Sequence, residues 1–197
     1  MEFEEIYEEF LPKIRRYLAR LLGEQKAEDI AQEVFAKVHR GLDSFKGQSK
    51  LSTWIYRIAT NTAIDKLRSS AHRHASGQIP LEDSTAVENT TLRITPSQRP
   101  IDQKIIRKEM SECVREYVDR LAPDHRTVLV LSELEGFKNR EIADILQITL
   151  ENVKVRLHRA RASLKKELDD GCDFYHTKEG TLACDRKPII IEAKKPA

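Results

Sequence analysis

Residues 27–68 read AEDIAQEVFAKVHRGLDSFKGQSKLSTWIYRIATNTAIDKLR, which predicts two amphipathic helices around a short glycine-containing loop. Side chains spaced three and four residues apart share one face of the second helix. That face combines an aromatic ring, an amide and charged groups: Trp54, Arg57, Asn61, Asp65 and Arg68. Such a stripe makes a poor core, but it suits a surface that stacks on and hydrogen-bonds to unpaired bases.

Helical periodicity extends on both sides of the loop. Residues 3–22 carry an apolar helical seam, and Pro12 within it predicts a kink or a break. Of the two helices within residues 27–68, the first is predicted over residues 27–41 and the second from about residue 52 to residue 70. Each of these helices has an apolar face, so we expect them to make one compact helical domain over residues 1–72.

The composition changes after this domain. Residues 73–101 contain several prolines, serines and threonines without sustained periodicity, which predicts a flexible linker. Helical patterns resume and predict a second small helical domain over residues 102–170. The C-terminal extension, residues 171–197, contains two short segments around a Lys178–Gly180 turn and predicts a short β-hairpin. An isolated hairpin is marginally stable in water, so this one should pack on the second domain.

A helix-turn-helix pattern lies within the second domain. Residues 137–168 read FKNREIADILQITLENVKVRLHRARASLKKEL, two helical patterns separated by a tight turn. Thr149 is placed to cap the second helix, because its hydroxyl can accept the backbone N–H near Asn152. The buried face of that helix is predicted to be Val153, Leu157, Ala160 and Leu164.

The opposite face of this helix has the layout that a major-groove helix needs. At its centre we expect Glu151, Asn152, Val155, His158 and Arg159, flanked by Lys154 and Arg156. Arg159 suits a bidentate contact to guanine, Asn152 a contact to adenine, and Val155 a thymine methyl. Glu151 either accepts from a cytosine amine or stabilises the helix dipole from the first turn. His158 suits a phosphate or water contact rather than catalysis.

Composition and charge restrict the function classes. Net charge is only +2, but residues 1–10 carry five glutamates while residues 152–166 carry six lysines and arginines and no acid, which suggests separate partners. No apolar run of about 18 residues and no basic, apolar leader is seen, so we expect a cytoplasmic protein without membrane insertion. Phosphate-loop and metalloprotease motifs do not occur, so neither enzyme activity nor a cofactor is expected.

The three cysteines are too few and too scattered for a disulfide scaffold. Cys113 lies on an apolar helical seam, so we expect a small core residue. Cys172, His176 and Cys184 are candidate metal ligands within thirteen residues of the tail, although their spacing matches no standard zinc finger. The alternative is that Cys172 and Cys184 pair across the hairpin without a metal.

Three stretches give the chain a resemblance to a known family. They are AEDIAQEVFAKV, SFKG followed by STWIYRIATNTAIDKLR, and LEGFKNREIADIL followed by NVKVRLHRARASL. Over about residues 1–168 the sequence resembles the extracytoplasmic-function sigma factors, the small two-domain group of the sigma-70 superfamily. The resemblance implies an all-α fold, with region 2 in the first domain and region 4 in the second. It also implies three partners: core RNA polymerase, promoter DNA and an anti-sigma factor.

The resemblance assigns residues to the polymerase and to the −10 promoter element. Contacts to the clamp of core polymerase are implied for Asp29, Gln32, Glu33 and Phe35. Contacts to the melted −10 DNA are implied for Phe45, Lys46, Lys50, Trp54, Tyr56, Arg57 and Asn61. Within that set, Phe45, Tyr56 and Asn61 match the base-capturing positions. Trp54 either touches DNA or supports the pocket from the core side.

The resemblance also implies that residues 149–159 form the −35 recognition helix. The −35 contacts expected there are Thr149, Glu151, Asn152, Lys154, Val155, Arg156, His158 and Arg159. One departure is Lys138, where the family usually has a serine or threonine that completes a capping box with Glu141. We therefore expect a less secure start of the first helix of the pair.

An alternative class is a free-standing helix-turn-helix transcriptional regulator, with the Cys/His tail acting as a redox or metal sensor. Its first domain would bind a ligand. In that case the stripe of aromatic, amide and charged side chains within residues 27–68 has no role.

Overall fold

The computed structural model describes residues 2–75, 103–178 and 180–187. Its helices and strands are α1 (Phe3–Leu22), α2 (Glu24–Gly41), α3 (Leu51–Ala75), α4 (Gln103–Arg120), α5 (Pro123–Leu129), α6 (Asn139–Leu146), α7 (Leu150–Gly171), β1 (Cys172–His176) and β2 (Leu182–Arg186). A 3-10 turn (Leu42–Ser44) follows α2, and a π-helical turn (Val130–Leu134) continues α5. The predicted helical architecture with a C-terminal hairpin is confirmed. None of the described helices is long and apolar enough to cross a membrane.

Helices α1, α2 and α3 pack together through the apolar seams that the sequence predicts. Helix α1 runs through Pro12 without a break, with Phe10 and Ile14 buried on either side of it. Helix α2 buries Val34 and Val38 against this seam. Helix α3 reaches Ala75 instead of ending at Ser70. The first three positions of the predicted linker, residues 73–75, therefore belong to α3, and the rest of that linker lies outside the described residues.

A buried hydrogen-bond pair joins α1 to α3. The hydroxyls of Tyr17 and Thr60 lie 2.8 Å apart, and both residues are fully buried. Thr60 also donates to the carbonyl oxygen of Tyr56, which leaves its oxygen free to accept from Tyr17. Burial raises the pKa of Tyr17 above its usual value, so the phenol remains a neutral donor.

The second group of elements consists of α4 to α7 and the hairpin. Helices α5 and α6 pack on the inner face of α7, where Val153, Leu157 and Ala160 are buried. Helix α4 packs along the C-terminal part of α7 and contacts β2. The hairpin pairs β1 and β2 antiparallel, with Cys172 opposite Arg186 and Phe174 opposite Cys184.

The two groups of helices share one continuous hydrophobic core. Helix α3 packs against α6, and α1 packs against α5. Phe137, just before α6, meets the ring of Tyr56 edge-on at a centroid distance of 4.7 Å. The helix-turn-helix therefore lies against the first three helices rather than apart from them.

We expect Tyr17→Phe to lower the free energy of unfolding by about 1 kcal/mol, because it deletes the buried hydrogen bond to Thr60 while preserving the ring. Urea denaturation followed by circular dichroism measures this change. Tyr7→Phe is the matched control, since Tyr7 is a half-buried tyrosine on the same helix. Equal stability of the two variants would contradict a stabilising role for the Tyr17 hydroxyl.

Candidate functional site

Helix α7 presents a polar face to solvent opposite its buried stripe. The predicted orientation of this face is confirmed: Glu151, Asn152, Lys154, Val155, His158 and Arg159 are all exposed. Val155 is 47% exposed although it is apolar. A helix with exposed amide, apolar and guanidinium groups at its centre can reach base edges in a major groove.

The start of α7 is fixed by the cap that the sequence predicts. The Thr149 hydroxyl accepts the backbone N–H of Asn152 at 3.2 Å, so this prediction is confirmed. The preceding turn contains Gln147 in the left-handed region, with φ of 54°. The N–H of Ile148 closes the turn on the carbonyl oxygen of Ala143 at 3.2 Å. These contacts set the angle between α6 and α7.

Helix α6 begins with half of a capping box. The backbone N–H of Lys138 donates to the Glu141 carboxylate at 2.9 Å. A lysine ammonium has no acceptor for a backbone N–H, so the other half is missing, as the sequence predicts. The Glu141 carboxylate also accepts from Lys50, the residue before α3, at 2.7 Å, and this contact lowers the pKa of Glu141.

One cation at the edge of the α7 face, Arg156, already has an acidic partner within the protein. Arg156 is half-buried and pairs with Asp124 of α5 at 3.1 Å, whereas Lys154 is exposed. An exposed ion pair of this kind contributes little to stability and is screened by salt. Arg156 can therefore exchange Asp124 for a phosphate at small cost.

The residues predicted for the −10 element fall into two sets. The first lies at the surface, with Phe45 and Lys46 before α3, Trp54 in the first turn of α3 and Asn61 about two turns farther along the helix. Phe45 stacks on Trp54 with ring centroids 5.1 Å apart, and the Trp54 ring also closes on Gly41 at the end of α2. Trp54 thus supports Phe45 from the core side. Lys46 and Asn61 are exposed.

The second set is covered by the helix-turn-helix. Tyr56 is buried, 4% exposed, beneath Phe137. The Arg57 guanidinium donates through Nε to the carbonyl oxygen of Asp144 at 2.8 Å. Lys50 pairs with Glu141, as described above. Three side chains with predicted DNA contacts therefore touch the second group of helices in this arrangement.

Glu135 is the centre of the contact between the two groups. Its side chain is 6% exposed and accepts from the Arg20 guanidinium at 2.6 Å and from the Tyr56 hydroxyl at 2.7 Å. Burial and the hydrogen bond to Glu135 raise the pKa of Tyr56 above its usual value. A buried carboxylate requires such partners, since an unpaired charge in the interior is costly.

Comparisons with known proteins identify the family to which the chain belongs. The Sigma-70 region 2 model matches residues 6–73, and the Sigma-70 region 4 model matches residues 111–164. The ECF RNA polymerase sigma factor SigW of Bacillus subtilis is 33% identical over 171 residues, covering 85% of this chain and 89% of SigW. The chain is an extracytoplasmic-function sigma factor. Its resemblance to this family, and its role as an RNA polymerase sigma factor, are confirmed.

Other relatives of this sigma factor agree. The ECF RNA polymerase sigma-E factor of Escherichia coli K12 is 30% identical over 159 residues, covering 79% of this chain and 81% of sigma-E. The fold resembles RpoE from Bartonella quintana, solved in complex with the anti-sigma factor NepR, with a TM-score of 0.62, 23% identity and coverage of 85% and 96%. The alternative of a free-standing regulator is not favoured.

The α2 surface predicted for polymerase binding needs one correction. Asp29 and Gln32 of the sigma factor are exposed. Glu33 bonds Lys66 at 2.8 Å and Lys37 at 3.0 Å, and these contacts lower the pKa of its carboxyl group. Phe35 does not belong to the surface: it is 2% exposed and packs edge-on against Tyr7. Phe35 is therefore a core residue.

Two cysteines of the tail lie beside Cys113, which the sequence predicts to be a small core residue. Cys172 and Cys184 lie beside Cys113 of α4, whereas His176 is at the turn end of the hairpin opposite Leu182. All three thiols are free. Burial raises the pKa of Cys184 to about 11 and also raises the pKa of Cys113. No spacing signal links Cys113 to the tail, because the contact depends on how α4 packs.

We expect Glu135→Ala to loosen the contact between the two groups of helices, because it leaves Arg20 and Tyr56 without their shared acceptor. A hydrogen bond to a charged group contributes about 1.5–3 kcal/mol. Small-angle scattering should therefore show a larger radius of gyration for this variant. Glu133→Ala is the control, since Glu133 is a nearby glutamate whose exposed partner is Arg161. If both variants keep the wild-type radius of gyration, the contact between the two groups of helices does not depend on Glu135.

Proposed function

We propose that this sigma factor reads the −35 element with the exposed face of α7 and captures the melted −10 strand with α3 and the loop before it. The observation that carries the proposal is the capped α7, whose outward face combines Asn152, Val155 and Arg159. Residues 1–72 act as the region 2 domain and residues 102–170 as the region 4 domain. The chain acts in the cytoplasm by binding, and the polymerase performs the chemistry.

The −35 contact follows from the order of side chains along α7. Asn152 stands in the first turn and Arg159 two turns later, so both can face one major groove. Lys154 and Arg156 lie at the edges of the same face and are placed to neutralise phosphates. Contacts to the bases then determine which DNA sequence is bound, while the flanking cations add affinity that depends on the salt concentration.

The −10 contact uses a surface suited to an unpaired base. Phe45 offers a ring held in place by Trp54, and Asn61 offers donors and an acceptor. Unpaired bases can stack on Phe45 and hydrogen-bond to Asn61, about two helical turns after Trp54, and these contacts offset the cost of unstacking them. Lys46 is exposed beside this surface and is placed for the backbone.

Full engagement of the −10 strand requires the two domains to separate. Lys50 and Arg57 hold α6 in the closed arrangement, and Tyr56 lies beneath Phe137. DNA and α6 therefore compete for the same groups. Core polymerase would free these groups for DNA if it bound the two domains at separate positions.

Core polymerase is the partner proposed for the exposed side of α2 around Asp29 and Gln32. An anti-sigma factor is a second proposed protein partner. The similar structures include RpoE in complex with NepR and CnrH in complex with the cytosolic domain of CnrY, the latter with a TM-score of 0.58 and 21% identity, covering 85% of this chain and 88% of CnrH. Such a partner would compete with polymerase for this sigma factor.

Arg159→Ala should weaken binding to duplex −35 DNA by about 1–3 kcal/mol and relax specificity at one base pair. Lys154→Ala should instead weaken binding to all sequences and reduce the salt slope by about 1. Fluorescence anisotropy at several salt concentrations separates these effects. Identical sequence preference in wild type and Arg159→Ala would rule out base reading by Arg159.

Asn61→Ala should leave duplex −35 binding unchanged and reduce open-complex formation, because Asn61 is exposed on α3 and α7 carries the duplex contacts. Permanganate footprinting of the holoenzyme on a promoter measures opening. If Asn61→Ala opens the promoter to the same extent as the wild type, Asn61 does not belong to the −10 site.

Capture of purified core RNA polymerase is the direct test of the proposed function. The wild-type chain should retain polymerase on an affinity resin, and Asp29→Arg should lose most of it, because the reversed charge faces the proposed interface. Glu8→Arg makes the same charge change at an exposed position of α1 and should bind as the wild type does. Failure of the folded wild-type chain to capture polymerase would overturn the proposal.

A further inference from the structure

All three cysteines of the chain meet at one place. Cys113 lies on α4, Cys172 is the first residue of β1 and Cys184 lies on β2. Their sulfur atoms all lie within 4.8 Å of one another, and those of Cys113 and Cys172 are 3.7 Å apart. Neither promoter recognition nor polymerase binding uses this cluster.

The spacing of the sulfurs fits a shared metal ion. With a metal–sulfur distance of about 2.3 Å, two sulfurs on one ion lie about 3.8 Å apart in tetrahedral geometry and about 4.0 Å apart in trigonal geometry. The Cys113–Cys172 pair already has this separation, and Cys184 needs only a small side-chain movement. A disulfide would join only two of the three sulfurs at about 2.05 Å.

The cluster is largely closed to water and has one positive charge beside it. Cys113 is 5% and Cys172 is 3% exposed, and Leu164 and Leu168 pack against them, so water has little access to two of the sulfurs. Cys184 is half-buried and leaves a route from solvent. Arg186 lies beside Cys113 and pairs with Glu116 at 2.8 Å. Its positive charge opposes the negative charge that three thiolates would bring.

The elements around the cluster are closely fitted. The Tyr117 hydroxyl accepts from the Cys172 thiol at 3.5 Å. It also lies directly against Gly171, where a Cβ atom would overlap it. The base of the hairpin closes on the same residue, because the N–H of Lys187 donates to the Gly171 carbonyl oxygen at 2.9 Å. The end of α7, the hairpin and α4 are thus held together around the sulfurs.

We propose that Cys113, Cys172 and Cys184 bind a thiophilic d10 metal ion, Zn²⁺ or Cu⁺, as three thiolates that fasten the C-terminal hairpin to α4. Soft thiolate ligands select these ions. Each thiol releases its proton to solvent when the metal–sulfur bond forms. Over residues 2–75, 103–178 and 180–187, no histidine or carboxylate joins the three sulfurs, so Zn²⁺ takes water as its fourth ligand and Cu⁺ remains three-coordinate.

The test uses the full-length, reduced, metal-free chain. Titration with Co²⁺ should produce thiolate-to-cobalt charge-transfer absorption that saturates at one equivalent and disappears when Zn²⁺ is added. Cu⁺ is titrated separately against a chromophoric chelator. Cys184→Ser should reduce affinity roughly 100-fold or more, since even partners of metal ligands contribute 10- to 100-fold. Cys113→Ser is a second variant with the same expected loss.

The matched control is His176→Ala, which changes an exposed potential ligand at the other end of the hairpin and should bind metal as the wild type does. Bound metal should also raise the midpoint of thermal unfolding in the wild type but not in Cys184→Ser. The proposal is overturned if the reduced chain binds none of the three ions, if both serine variants bind normally, or if a disulfide is the only product. The assay contains neither polymerase nor DNA, so it is independent of the proposed function.

Discussion

The carboxylate of Glu135 is the interaction on which the arrangement of the two domains depends. It is almost inaccessible to water and is bonded to a guanidinium of α1 and a phenol of α3. A charge in such a position stabilises the contact only while both donors are present. The apolar contacts around it, such as Phe137 on Tyr56, are less directional and do not by themselves fix the orientation of the domains.

The closed arrangement has a thermodynamic effect on DNA binding. If a binding-competent state is populated only in part, the apparent affinity falls by the same fraction. Lys50 and Arg57 bond to α6 in the closed state, so under the −10 role proposed for them free chains would bind melted DNA less tightly than chains held open by polymerase. On that proposal, the contact would favour promoter opening by the holoenzyme over DNA binding by the sigma factor alone.

The local parts of the structure could be predicted from the sequence. The exposed face of α7 and the Thr149 cap depend on residues within a few turns of one another, so periodicity and cap chemistry were sufficient. Phe35 was misplaced because its position was assigned by resemblance, although it lies four residues after the buried Ala31. The contact of α6 with α3 and the approach of Cys113 to the tail depend on long-range packing. A single sequence carries no local signal for either.

The order of α7 and β1 has a further consequence for the tail. Helix α7 ends at Gly171 and the strand begins at Cys172, with no connecting loop. The direction in which the hairpin leaves depends on the backbone at Cys172, with φ of −139° and ψ of 146°, and on the contacts of the hairpin with α4. The helix, 22 residues and about 33 Å long, therefore continues directly into the hairpin. A change in the position of the hairpin would therefore act on the end of the helix whose exposed face is proposed to read DNA.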